Sequence, residues 1–174
     1  MGCSQKSYFD IFHDSRIKIE ILPTGEDNKS APEYVMDRLN EFSLKYQLED
    51  EDTLWLLFDV ERWPTKTLSS VCRQAKQKKY RLAISNPCFE VWLCLHLAEL
   101  DPNDTTCKDF ENRLCLILGK YNKSHLDATP FETQIFEAIE MAKVLHPKPQ
   151  QNWSPTIGSH VYRIVEMIQE AIRT

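Results

Sequence analysis

The sequence predicts an α/β fold in which helices flank a small parallel sheet and additional helices follow in the C-terminal half. Strand-like and helix-like patterns alternate through the first half of the chain, whereas only helix-like patterns follow Leu100. The length of 174 residues, with 42% hydrophobic residues, suits one compact domain over residues 1–174.

The predicted strands all lie in the first half of the chain. Residues Arg16–Leu22 alternate charged residues with isoleucines, which is typical of a half-buried strand. Thr53–Phe58 is a continuous apolar run, typical of a strand buried on both faces, and Tyr80–Ile84 is a second short strand. A basic amphipathic helix over Lys66–Lys79 joins these two strands, and this spacing indicates a right-handed parallel crossover.

The remaining elements are predicted as helices from their apolar spacing. Pro32 opens a helix whose apolar positions continue to Tyr46, and Pro87 opens a short helix after Asn86. Three further helices are predicted over Cys107–Leu118, Phe131–Leu145 and Ser159–Ile172.

Composition excludes several classes of function. The formal net charge of -5 creates no global attraction to a nucleic acid backbone, so any such contact must be local. The four glycines do not cluster, which excludes a phosphate-binding loop of the G-x-x-x-x-G-K-[ST] type. No apolar stretch approaches the roughly 20 residues of a membrane helix, and six cysteines occur without a close C-x-x-C pair. We therefore expect a cytoplasmic protein with reduced thiols.

Two carboxylates follow the central apolar strand, in the order Phe58-Asp59-Val60-Glu61. Ligand sites in parallel sheets lie at the carboxyl ends of the strands. Alternation places Asp59 and Glu61 on the same side of the chain, where they could share a hard cation such as Mg²⁺. A solvated strand exit rich in acidic residues is the alternative interpretation.

A second candidate segment, Ser85–Trp92, runs from the end of a strand directly into a helix. The backbone N–H groups of a helix start attract anions such as phosphate. If the neighbouring strand ends lie at one sheet edge, Asn86 and Glu90 face the carboxylate pair. Alternatively, Asn86 only caps the helix, Glu90 only complements its dipole, and His96 is a core residue.

A third candidate segment, Gly119–His125, is a basic patch in an otherwise acidic chain. Its residues Lys120, Tyr121 and Lys123 suit phosphate contacts and stacking on a base. An ordinary polar loop between helices fits the same composition. The spacing of the five histidines fits no zinc motif, and the G-x-S-x-G elbow of serine hydrolases does not occur.

The sequence resembles the RloB family, which is named for abortive phage resistance. The resemblance is carried first by Trp55–Glu61 and by the long segment Leu82–His96. Gly119–Lys123 and Asn152–Thr156 match the C-terminal pattern of the family, so the resemblance covers nearly the whole chain.

The resemblance implies a Toprim-like fold in which carboxylates hold Mg²⁺ or Mn²⁺ for phosphodiester cleavage. Asp59 matches the first position of the family's D-x-D motif and Glu61 stands at the second, so these two are the expected metal ligands. Glu90 is the third expected catalytic residue. The expected substrate-binding residues are Asn86, His96, Lys120, Tyr121 and Lys123.

The resemblance also implies a biological role. We expect a metal-dependent nuclease of anti-phage defence that acts on RNA or DNA, transfer RNA included, beside an AAA/ABC ATPase of the RloA type. Gly2–Phe9 looks like the end of the family motif E-G-x-x-T-E-x-x-Y-F, and Met1 stands where its glutamate is expected. We then expect that the first strand of the family is absent from this chain. The sheet would have an open edge, with which a partner or a second copy could pair.

Two other functions stay open at this point. Without the motif glutamate, the chain could be a catalytically degenerate binding subunit that docks an ATPase or senses nucleic acid. A purely structural scaffold is the third alternative, and it predicts no metal affinity.

Overall fold

The computed structural model describes residues 3–22, 31–146, 148 and 150–173, and the predicted α/β fold is confirmed within them. Met1 and Gly2 lie outside these residues. The described elements are α1 Cys3–Phe9, α2 Pro32–Lys45, β1 Trp55–Asp59, α3 Thr65–Gln77, β2 Arg81–Asn86, α4 Glu90–Leu95, α5 Cys107–Leu118, α6 Thr129–Glu132, α7 Ile135–Leu145, β3 Gly158–Ser159 and α8 Tyr162–Arg173. No described helix has the length and apolar character needed to cross a membrane.

The sheet has the order β1-β2-β3. β1 and β2 pair in parallel from Trp55↔Arg81 to Asp59↔Ser85, with α3 as the crossover between them, as predicted. β3 adds only two residues, and it runs antiparallel to the end of β2. Within the described residues, β1 is therefore an edge strand, and its pairing with β2 is the parallel part of the sheet.

Both faces of the β1–β2 pair are buried, as the continuous apolar run predicted. Leu57 and Ala83 face the larger core, which also contains the side chains of α4, α5, α7 and α8. Leu56 and Phe58 face the smaller core, which they share with α2 and α3. Burial on both faces explains why β1 shows no polar alternation.

The prediction of a strand over Arg16–Leu22 is wrong. The expected alternation is present, since Ile17, Ile19 and Ile21 are half-buried against the larger core while Lys18 and Glu20 are exposed. The segment forms no ladder, however, and a cavity of about 1260 Å³ is lined by this segment and by the β1 residues Trp55–Leu57. A strand needs a neighbour within hydrogen-bonding reach, and alternation alone does not supply one.

Two predicted helices have different limits in the structure. The helix predicted over Phe131–Leu145 is divided into α6 and α7. The helix predicted from Ser159 begins instead at Tyr162, because Ser159 belongs to β3 and its hydroxyl lies 2.8 Å from that of Ser85. The pairing of β3 with β2 thus removes three residues from the predicted helix.

We predict that Leu68→Ala in α3 strongly destabilises the fold. Leu68 is 1% exposed within the smaller core, so its truncation should lower the free energy of unfolding by about 2–5 kcal/mol. The matched control is Leu44→Ala in α2, where the leucine is 88% exposed and a change within about 0.5 kcal/mol is expected. Urea unfolding followed by circular dichroism measures both; equal losses would contradict the assigned core.

Candidate functional site

The candidate site lies where the carboxyl ends of β1 and β2 meet. Beyond the paired residues, the Val60 N–H donates to the Ser85 carbonyl at 2.9 Å and the Glu61 N–H donates to the Pro87 carbonyl at 3.1 Å. These bonds hold the chain leaving β1 against the turn that leads from β2 into α4. Asp59, the last residue of β1, is thereby placed beside the start of α4.

Asp59 carries the most perturbed carboxylate of this sheet edge. The residue is half-buried, but its Oδ1 is fully buried and has no hydrogen-bond partner among the described residues. Burial, and then the nearby Glu90 carboxylate, raise the pKa of Asp59 to about 7. The Lys123 charge and a hydrogen bond from the Phe89 backbone act in the opposite direction without cancelling the rise.

Glu90 is the buried partner of Asp59. Its side chain is only 2% exposed, and its Oε1 accepts a hydrogen bond of 2.8 Å from the Tyr121 hydroxyl. The Lys123 ammonium lies 3.0 Å from the same oxygen and 2.8 Å from Glu111 in α5. A buried carboxylate costs several kcal/mol unless it is paired, and these two contacts supply the pairing.

Tyr121 and Lys123 reach Glu90 because the chain turns sharply after α5. Gly119 ends this helix at φ 77°, a left-handed conformation that glycine adopts without a steric penalty. Burial, and then the Glu90 charge, raise the pKa of Tyr121. The hydroxyl therefore keeps its proton and is the hydrogen-bond donor to Glu90. Partial burial acts to lower the pKa of Lys123, but the carboxylates of Glu111 and Glu90 outweigh it and raise that pKa. The structure thus brings these two predicted residues into the site.

Glu61, the second expected metal ligand, contacts the start of α5. Its exposed side chain accepts a hydrogen bond of 3.4 Å from the Cys107 backbone N–H at the start of α5. The carboxylate that raises the pKa of Asp59 is Glu90. Glu90 therefore lies close enough to Asp59 for its charge to act on it, and the role of Glu61 as a metal ligand stays a prediction.

Asn86 and Lys120 lie near the site without a described contact to its carboxylates. The Asn86 side-chain amide donates to the Ser154 carbonyl at 2.9 Å, which fixes the strand exit to the segment before β3. Lys120 is exposed, and its charge adds to the hydrogen bonds from Thr129 that lower the pKa of Asp127. Their binding of substrate stays a prediction.

His96 is a core residue in this structure. It is 4% exposed, with one ring nitrogen 3.1 Å from the Tyr8 hydroxyl and the other 2.9 Å from the Trp92 carbonyl. Burial lowers the pKa of His96 to about 4, so the imidazole is neutral at physiological pH. These contacts hold α4 against α1. The expected contact of His96 with substrate stays a prediction.

Sequence reasoning missed the contributions of Glu111 and Cys107 to the site. Glu111 lies within α5, and no local pattern signals that its carboxylate meets Lys123. Cys88 and Cys107 are both buried, and a hydrogen bond that the Cys88 thiol donates to Cys107, and then burial, raise the pKa of Cys88. These contacts join segments far apart in sequence, so spacing contained no signal for them.

Asp59 and Glu90 supply the carboxylate oxygens that a divalent cation takes as ligands. Across the described residues, no three His, Cys, Asp or Glu side chains are grouped as a metal cluster. Mg²⁺, however, is commonly held by one or two carboxylates and keeps several of its waters. The buried, unpartnered Oδ1 of Asp59 is an oxygen that such a cation would satisfy.

The fold and the site define a small α/β protein with a buried pair of carboxylates at the carboxyl ends of two parallel strands. A family model described as RloB-like protein matches residues 3–168. The chain therefore belongs to the RloB-like family, as the resemblance of its motifs indicated. Searches of curated proteins and of solved structures found no match.

We predict that Asp59→Asn alters the pH dependence of stability. The folded state binds a proton at Asp59 with a pKa of about 7, whereas an unfolded aspartate has a pKa of about 3.9. The folded state therefore holds the extra proton between these values, and this contribution to stability is lost as pH rises through about 7.

The measurement is urea unfolding from pH 4 to pH 8 in the presence of a chelator. The stability of the native protein relative to Asp59→Asn should fall with rising pH by up to about 1.4 kcal/mol per pH unit. Asp50→Asn, at an exposed position, is the matched control and should follow the native curve. Parallel curves for the native and Asp59→Asn proteins would contradict the assigned environment of Asp59.

Proposed function

We propose that the protein is a metal-dependent phosphodiesterase that cleaves nucleic acid. The observation that carries the proposal is the buried, unpartnered Oδ1 of Asp59 beside the buried Glu90 carboxylate. A buried polar atom without a partner costs free energy and is retained where function requires it. Membership of the RloB-like family supports the same assignment.

Asp59 and Glu90 would hold Mg²⁺ or Mn²⁺, with Glu61 as a further carboxylate on the turn after β1. Such a cation supplies Lewis-acid polarisation of a phosphoryl oxygen and a stronger water nucleophile. The raised pKa of Asp59 reflects the cost of holding two carboxylates together in a buried place. A divalent cation lowers that cost, which is the physical reason for assigning it to this pair.

The remaining site residues position the carboxylates and attract phosphate. The Tyr121 hydroxyl and the Lys123 ammonium fix the orientation of Glu90, and Asn86 fixes the exit of β2. Lys120 is exposed and offers local positive charge on a chain of net charge -5, whereas the 45% exposed Lys123 is already engaged by Glu90 and Glu111. Such charges position a nucleic acid backbone without reading its sequence.

We assign the biological role by family membership. The proposal is that cleavage of RNA or DNA, transfer RNA included, serves anti-phage abortive infection in the cytoplasm beside an AAA/ABC ATPase of the RloA type. The RloB-like match over residues 3–168 is the support for this assignment.

A binding subunit without catalysis is the second candidate. The observation that favours it is the contact of Glu61 with the Cys107 backbone, which draws this carboxylate toward α5. In that case the same surface docks the ATPase or senses nucleic acid. Its distinguishing prediction is retained binding with no cleavage at any metal concentration.

We predict that the purified protein cleaves nucleic acid only with a divalent metal. Labelled transfer RNA and plasmid DNA are incubated with Mg²⁺, with Mn²⁺ and with chelator, for the native protein, Asp59→Asn and the control Asp50→Asn. Loss of an outer partner of a metal ligand lowers activity by about 10–100-fold. Because Asp59→Asn removes a proposed ligand itself, it should reduce the rate by more than about 100-fold. Asp50→Asn should retain the native rate.

The outcomes separate the candidate functions. Cleavage that survives chelator or Asp59→Asn would refute the metal mechanism. Binding of labelled nucleic acid without cleavage would favour the binding subunit, and the absence of both metal affinity and nucleic acid binding would favour the scaffold.

We predict that Tyr121→Phe weakens Mg²⁺ binding. The substitution removes only the hydroxyl that donates to Glu90 at 2.8 Å, so the carboxylate loses an orienting partner. An outer partner of this kind contributes about 10–100-fold to metal affinity. Isothermal titration with Mg²⁺ measures the change, and Tyr46→Phe, where the tyrosine is 49% exposed, is the control. Equal affinities for the two variants would exclude Tyr121 from the site.

A further inference from the structure

The chain concentrates positive charge in and around α3. Residues 62–81 contain seven basic residues and no acidic one, although the chain as a whole has a net charge of -5. The side chains of all seven are exposed. Such a segment creates a local positive potential on the surface of an acidic protein.

No carboxylate pairs with these seven cations among the described residues. Ion pairs engage basic residues elsewhere in the structure, such as Arg113 in α5 and Lys143 in α7, but none within residues 62–81. Outside the described residues the sequence contains two acidic residues, Glu26 and Asp27. Two carboxylates cannot neutralise seven cations, so this surface keeps a net positive charge.

Three of the cations form a row along the exposed face of α3. Lys66, Arg73 and Lys76 are separated by seven and then three residues, and these spacings place side chains on one face of a helix. We call these three residues the α3 stripe, which is about 15 Å long at the rise of an α-helix. The opposite face of α3 is buried in the smaller core through Leu68, Val71, Cys72 and Ala75.

The side chains around the α3 stripe suit a phosphate backbone. The other exposed residues of α3 are polar and uncharged: Thr65, Ser69, Gln74 and Gln77. Hydroxyl and amide groups of this kind donate hydrogen bonds to phosphate oxygens. The exposed face has no aromatic side chain on which an unpaired base could stack. It therefore fits a nucleic acid whose bases are already paired.

The α3 stripe begins at the candidate site. α3 is the crossover between the parallel strands β1 and β2, so it returns from the carboxyl end of β1 toward the start of β2. Lys66 therefore lies at the end of the sheet that carries Asp59. Arg62, between β1 and α3, is close enough to Asp59 for its charge to oppose the rise in the pKa of that carboxyl. Positive charge thus extends from the site along α3.

We infer that the α3 stripe binds the phosphate backbone of a double-helical segment of RNA or DNA and guides it to Asp59 and Glu90. The inference rests on the proposed function, because it names the form of nucleic acid that this site would cleave. The cations neutralise phosphates and the neighbouring polar side chains donate hydrogen bonds, whereas no base is read. Binding is therefore independent of base sequence and weakens steeply as the salt concentration rises.

Other polyanions fit the α3 stripe less well. An anionic membrane binds an amphipathic helix through its apolar face as well as its charge, and the apolar face of α3 is buried in the smaller core. A single-stranded nucleic acid is held by aromatic stacking in addition to charge, and the exposed face of α3 offers none.

The test measures binding by the full chain in the presence of a chelator, which blocks the proposed metal-dependent cleavage. The probes are fluorescein-labelled RNA and DNA duplexes of about 20 base pairs, which extend well beyond the stripe, and one of their single strands. Fluorescence polarisation should show binding of both duplexes and at least about tenfold weaker binding of the single strand.

The variant Arg73→Gln/Lys76→Gln removes two cations at exposed positions, where substitution leaves the fold intact. It should weaken duplex binding by at least about tenfold and reduce the slope of log affinity against log salt by about 2. The matched control Lys45→Gln/Arg173→Gln removes the same charge from exposed positions of α2 and α8. The control should keep the native salt slope and an affinity within about twofold of the native protein.

Several results would overturn the inference. Equal duplex affinities and salt slopes for the two double variants would exclude the α3 stripe, and single-strand binding as tight as duplex binding would exclude the double helix as its ligand. Binding to phosphatidylserine vesicles that is lost in Arg73→Gln/Lys76→Gln, without duplex binding, would identify a membrane as the partner.

Failure of the inference and failure of the proposed function give different results. Metal-dependent cleavage that is lost in Asp59→Asn and unchanged in Arg73→Gln/Lys76→Gln would support the function and refute the stripe. Duplex binding through the stripe without cleavage would support the inference as a binding surface and refute the proposed catalysis.

Discussion

The parallel pairing of β1 with β2 is the constraint on which the rest of the structure depends. The last residue pair of this register is Asp59↔Ser85. It places the end of β1 beside the turn that leads into α4. Glu90 stands at the first position of that helix. Two carboxylates from segments about thirty residues apart therefore meet in a buried place, which is unfavourable unless other groups compensate.

The segment after α5 provides that compensation. Gly119 reverses the chain, after which Tyr121 donates to Glu90 and Lys123 lies between Glu90 and Glu111. These contacts tie α4 and α5 to the same site, so the charge balance of the site also fixes how the two helices lie. The buried Oδ1 of Asp59 gains no hydrogen-bond partner from this arrangement among the described residues.

The sequence predicted the parts of the structure that depend on local pattern. The apolar run of β1 and the polar residues at the strand ends were sufficient to place Asp59 and Glu90 at one edge. Arg16–Leu22 shows the limit, because alternation records which side chains are buried but not whether a neighbouring backbone is within reach. The contact of Glu61 with Cys107 depends likewise on how distant segments pack, which spacing along the chain does not determine.

Asp59 combines two features that are unsatisfied within the described residues. Its Oδ1 has no hydrogen-bond partner, and its strand, β1, lies at the edge of the sheet. An apolar group placed against this carboxylate would remove water from it and raise its pKa further, whereas a cation would lower that pKa. The protonation of Asp59 therefore depends on the charge of the group that lies beside it.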